Sequence, residues 1–177
     1  MLFGGIAMKS DDKDPKSHVL WCLKRKRGAK LEDPNDNLCN VYLKKAKSAL
    51  NMLSSASEKD EIDWIATTAY YARYFAFYAL LQKCGIKSEI HDCTISLMHY
   101  LLVEENLIDE HFYNELKLAK ELRVDAQYYV AEELDKNKLK KDSETARNFF
   151  LKMEDVIGSL TEEKINQLRN KLSNAIP

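Results

Sequence analysis

Four side chains in this sequence are the foremost candidates to meet a phosphate or a base: Arg73, His91, Arg123 and Tyr128. A guanidinium grips phosphate oxygens through paired N–H donors, and an imidazole bonds an anion or moves a proton near neutral pH. A tyrosine ring offers a face on which a base stacks. Each also has a structural reading. Arg73 lies inside the stretch AYYARYFAFYALL, residues 69–81, where it must pair with a carboxylate, stack on a ring or emerge at a groove. Asp63 is too far back along the same helix, so a carboxylate from another helix, such as Asp125, is the alternative partner. His91, placed at the third position of a helix, can cap or bond across a bundle instead of holding a ligand. Tyr70, Tyr71, Tyr74 and Tyr78 recur at helical spacing and are expected to be core first and a stacking wall second. Tyr128 and Tyr129 divide between interior and rim.

Other chemistries find less support. The run KRKRGAK, residues 24–30, could meet RNA phosphates, an acidic partner or only solvent. Lys136, Lys138, Lys140 and Lys141 read as a soluble basic loop. No His-Glu-x-x-His, paired-cysteine set or glycine-rich phosphate loop occurs, so no metal and no cofactor is expected. Cys22, Cys39, Cys84 and Cys93 lack close spacing and are expected as buried free thiols. Cys84 and Cys93 flank a turn and are the pair placed to approach each other.

The elements that must position these residues are helical. Only three prolines and five glycines punctuate the 177 residues, near ends or junctions. With 45% hydrophobic and 31% charged residues and a formal net charge of -1, the chain is an ordinary soluble composition and no polycation. Nucleic-acid binding therefore needs a local patch. The opening residues do not read as a signal peptide and no apolar run spans a bilayer, so a cytoplasmic protein is expected.

The pattern predicts a loose segment over 1–16 and a single helical domain over 17–177. A short helix spans 17–27, and an amphipathic helix starts at Leu38. A central helix runs over 61–84, apolar on most of its circumference, and Gly85 caps it. Ser88 then caps a helix over 89–104, and another covers 110–133. A further helix begins near Ser143, and Ser159 with Glu162 forms a capping box for a last one over 160–173. No strand block is expected. The fold class is all-α: an antiparallel bundle of four or five long helices with terminal additions.

The stretch DWIATTAYYARYFAFYALLQKCGIKSEIHD resembles the signature of HEPN-domain proteins, helical modules common in archaea and bacteria. Asp63, Trp64, Tyr70, Tyr71, Ala72, Gly85 and His91 occupy its positions, and ELRVDAQYYV adds Arg123, Asp125 and Tyr128. The resemblance covers roughly 38–157. It implies nucleotide or RNA binding, or a protein partner such as a small nucleotidyltransferase, and a homodimer. Toxic members of this family are metal-independent ribonucleases with an Arg followed four to six residues later by His. Neither Arg73 nor Arg123 has such a histidine. The expected function is thus a non-catalytic binding module using Arg73, His91, Arg123 and Tyr128. The alternatives are a divergent ribonuclease that pairs Arg73 or Arg123 with His91 or His99, and a self-associating structural protein.

Overall fold

The fold, taken from a computed structural model, is described for residues 14–128 and 135–176. Most of the 1–16 segment, together with Tyr129, lies outside the described residues. Seven α-helices are present among them: α1 (Pro15–Leu23), α2 (Asp36–Glu58), α3 (Ile62–Lys83), α4 (His91–Met98), α5 (Glu110–Tyr128), α6 (Lys136–Ser159) and α7 (Glu162–Ser173). The first helix starts at Pro15, two residues earlier than the pattern predicts, because Asp14 accepts the Ser17 amide and caps it.

α3 is the hub. It packs against α2, α5 and α6, the other long helices of the bundle. Its small residues Ala66, Ala69, Ala72, Ala76 and Ala79 are all buried and let those neighbours approach closely. Tyr70, Phe77, Leu80 and Leu81 fill the volume between them. α2 enters under an Asn35 cap, whose side chain accepts the Leu38 amide at 2.9 Å. Only Lys59, Asp60 and Glu61 separate it from α3, which makes the two an antiparallel hairpin. Asp60 takes the left-handed conformation that this tight reversal needs (φ 55°).

Three expectations are corrected at helix ends. Ser88 does not cap α4: it lies in a strand, and the helix begins at His91 with no side-chain cap. The lysine run from Lys136 is helical, because Asp135 caps it through the Lys138 amide and Leu139 is buried beneath it. The cap of α7 is Thr161, accepting the Lys164 amide, so no reciprocal box with Ser159 forms. After α4 the chain widens into a π-helical turn, His99–Val103, which no residue pattern announced.

A short two-stranded ladder also forms, against the expectation of no strands. β1 (Ala29–Leu31) pairs antiparallel with β2 (Ile86–Ser88), with Lys30 opposite Lys87. The cysteine expectation is half right. Cys39 and Cys84 are buried free thiols, but Cys22 is disulfide-bonded to Cys93, 71 residues away. Cys84 sits at the C-cap of α3, and β2 lies between it and α4, which carries Cys93. No helix among the described residues is long and apolar enough to cross a membrane.

Gly85 closes α3, as expected, with a φ of 64°. Its Cα is also hemmed in. The Arg169 guanidinium donates to the carbonyls of Glu32 (2.8 Å), Cys84 (2.7 Å) and Gly85 (3.1 Å), binding α7 to the end of α3. A Cβ on residue 85 would collide with that guanidinium and with the Glu32 carbonyl. Left-handed backbone alone costs a non-glycine residue about 1–2 kcal/mol. Gly85→Ala should therefore lower the unfolding free energy by about 2 kcal/mol or more in urea denaturation, whereas Gly158→Ala, with open space around it, should not.

Candidate functional site

The face where α3, the start of α4 and α5 meet gathers polar groups around the tyrosines of α3. His91, the first residue of α4, lays its ring flat on Tyr74 with centroids 4.4 Å apart and planes 10° from parallel. The Tyr70 hydroxyl lies 2.5 Å from His91 Nδ1. Tyr70 is fully buried, so a hydroxyl that merely accepted from Nδ1 would leave its own proton unsatisfied. Tyr70 therefore donates to Nδ1, and the remaining ring nitrogen, Nε2, carries the imidazole proton.

The surroundings of these groups favour their neutral forms. Burial, with a smaller contribution from Tyr74, pushes the Tyr70 phenol far above its ordinary range. Burial also pushes Tyr74 up to about 12. His91 is held below the ordinary imidazole value, chiefly by burial and then by the nearby positive charges of Arg123 and Lys120. Phenol and imidazole are thus both neutral at pH 7.

Arg123 approaches from α5. Its guanidinium lies 5.4 Å from the Tyr70 ring centre and 5.2 Å from that of Tyr71, so two ring faces hold one cation. Among the described residues its Nε is buried without a hydrogen-bond partner. One turn earlier on α5, Lys120 pairs with Asp92 of α4. The structure so brings Arg123 and His91 together through shared tyrosines.

Arg73 and Tyr128 do not join them. Arg73 is wholly buried and faces α6, away from solvent. Its guanidinium donates to Asp142 Oδ2 (3.2 Å), the Asp142 carbonyl (2.5 Å), Thr145 Oγ1 (2.9 Å) and the Ala69 carbonyl (3.1 Å). Its Nε lies 3.6 Å from Glu115 of α5. The structural reading of Arg73 holds, but the carboxylates are Asp142 and Glu115 and not Asp125. Burial outweighs the attraction of Arg73 and leaves the Asp142 carboxyl above its ordinary range. Tyr128 is 80% exposed. Five residues along an α-helix turn it about 140° from Arg123, so the two cannot share a face. Of the other histidines, His99 lies edge-on to Tyr113, and exposed His111 lies beside Phe112.

Sequence reasoning missed Lys120, Asp92, Asp142 and Glu115, because long-range pairs leave no mark in local spacing. The KRKR segment is exposed, and Arg25 covers the Trp21 ring at 4.4 Å, an aromatic that precedes the basic run. A cleft along α7 lined by Glu105, Glu163, Gln167 and Lys171 contains none of the four candidates. Its Lys171 and Glu105 already bond each other at 2.9 Å.

A model of the HEPN domain matches residues 39–164. The chain belongs to the HEPN-domain family. No curated protein sequence matches it significantly. In this HEPN domain the matched stretch spans α2 to the start of α7 and includes Tyr70, His91 and Arg123, while α1 and β1 precede it. Membership places the chain among nucleotide- and RNA-related modules.

Two expectations follow. Removing one partner of a buried ion pair strands the other charge at a cost of about 3–5 kcal/mol. Arg73→Ala should show that loss in chemical denaturation, and the Arg73→Met/Asp142→Leu double variant should recover much of it. For His91 the folded value lies below the unfolded one of about 6.5, so the unfolded chain binds more protons in between. Its stabilising contribution is complete above about pH 6.5 and is lost as pH falls through the folded value. The His91 ring should titrate below 6.5 by NMR, and His91→Gln should remove that part of the acid destabilisation.

Proposed function

We propose that this HEPN domain is a non-catalytic binding module that holds a nucleotide or RNA phosphate at the α3–α4–α5 face. The observation that carries the reading is Arg123. Its guanidinium is oriented by two tyrosine rings, and its buried Nε has no hydrogen-bond partner among the described residues. A donor held in this way, in a site of reduced solvation, suits an anion that brings its own oxygens. His91 adds a second donor, Nε2–H, and Lys120 a further positive charge. The half-buried Tyr71 ring, stacked on Phe75 and covered by Arg123, holds the cation in place at the edge of this face. The expected nucleotidyltransferase-type partner and homodimer belong to the same proposal. Trp64, which opens α3 with 61% of its surface exposed, supports a contact of that kind.

The ribonuclease alternative has one observation in its favour, the convergence of Arg123 with His91 across helices. The hydrogen bond from Tyr70 weighs against it. With Nδ1 occupied and Nε2 protonated, the neutral ring has no free lone pair to take a 2′-hydroxyl proton. The arrangement suits a donor better than a base.

Fluorescence anisotropy with a single-stranded RNA, competed by ATP, tests the reading. Binding should weaken with salt. Arg123→Ala should reduce affinity about tenfold or more, the scale of one lost charge-assisted hydrogen bond. Undiminished affinity in that variant, or no binding of either ligand, would sink the proposal. RNA cleavage by the wild type that disappears in His91→Gln would replace it with the nuclease.

A further inference from the structure

The N-terminal helix brings a second group of ligating atoms together, one that does not include Arg123. His18 and Cys22 stand four residues apart on one face of α1, and Cys93 and Ser96 project from α4 toward them. The ligand atoms of His18, Cys22 and Cys93 all lie within 4.8 Å of one another. The cysteines are joined as a disulfide. We propose that reducing the Cys22–Cys93 disulfide creates a three-ligand site for one thiophilic divalent cation, formed by His18, Cys22 and Cys93.

The imidazole is placed between the two partners this role needs. His18 Nδ1 is 2.7 Å from Ser96 Oγ, while Nε2 faces Cys22 Sγ at 4.0 Å. In the oxidised protein the disulfide sulfur can only accept, so Nε2–H faces it and the Ser96 hydroxyl donates to Nδ1; on reduction the other tautomer, with Nδ1–H donating to Ser96 Oγ, turns the Nε2 lone pair toward the sulfurs. Ligating histidines are oriented in the same way by an outer hydrogen bond from their other nitrogen. Tetrahedral zinc, with bonds of about 2.3 Å to sulfur and 2.0 Å to nitrogen, would set a nitrogen–sulfur separation of about 3.5 Å. The existing 4.0 Å to Cys22 is close to that, the three ligand atoms already lie within 4.8 Å of one another, and the sulfurs must part as the imidazole closes on them. Cys22 and Cys93 have no exposed surface, so charge matters. Two thiolates cancel a dication and leave a neutral centre to bury.

The chemistry balances with a dithiol reductant. It breaks the S–S bond, supplies two electrons and two protons to give two thiols, and closes its own disulfide. The cation then displaces both thiol protons to solvent and forms two bonds to sulfur and one to His18 Nε2. Among the described residues the group has three members, which leaves a fourth position for water. Disulfide or metal, α1 is tied to α4.

Zinc binding to the full chain, measured in matched oxidised and fully reduced samples, tests the proposal. One zinc should bind per reduced chain and none per oxidised chain. Zinc should raise the thermal midpoint of the reduced protein by mass action, and cobalt(II) in its place should give thiolate charge-transfer and tetrahedral bands. His18→Gln should weaken zinc binding at least about tenfold, and Ser96→Ala by about 10–100-fold. No binding after reduction would overturn the site, as would full affinity in His18→Gln or in a Cys22→Ser/Cys93→Ser variant. The wild-type redox comparison decides the matter even where that double variant fails to fold.

Discussion

A guanidinium with no access to water, set mid-way along the central helix, governs how the long helices assemble. Arg73 can be buried only if its charge and its donors are answered. Asp142 and Thr145 on α6 and the preceding turn of α3 answer the terminal nitrogens, while Nε, without a hydrogen bond among the described residues, has the charge of Glu115 on α5 beside it. Hydrophobic contact between alanine-rich faces would tolerate some sliding and rotation of one helix on another. A directional fork tolerates far less. The ion pair so fixes the register of α5 and α6 against α3, and through α5 it fixes where Arg123 stands.

The tyrosines on the adjoining side of α3 then have two functions at once. Tyr70 and Tyr74 are buried packing groups whose rings also carry the imidazole of His91, and Tyr70 with Tyr71 carries the cation of Arg123. Core and site are not separable here. A ring lost from this wall would remove packing volume, a hydrogen bond to Nδ1 and a platform for the guanidinium together.

The sequence made the helices legible because their information is local. Apolar spacing, the alanines of α3 and the glycine at its end all announce themselves within a few residues. His91 and Arg123 were legible as candidates through the family-like pattern, although nothing in the spacing said that they share tyrosines. Arg73 looked equally functional from its composition, and only the distant carboxylates of Glu115 and Asp142 show why it is interior. Lys136 to Asp142 looked like a loop because charge dominated the run, yet one cap and one buried leucine were enough to make it helix. The Cys22–Cys93 bond and the β1–β2 ladder depend on chain segments far apart in sequence, where periodicity is silent.

Arg169 has a consequence for the size of the unit that can fold. The carbonyls at the end of α3 carry the negative end of that helix's dipole, and the guanidinium that answers them belongs to α7, beyond the family-matched residues. The disulfide and the ladder tie in α1 and β1, which precede the matched stretch. A fragment trimmed to 39–164 would thus leave the central helix with an unanswered terminus and an uncovered flank. The contacts that close the central helix reach beyond the stretch by which the family is recognised.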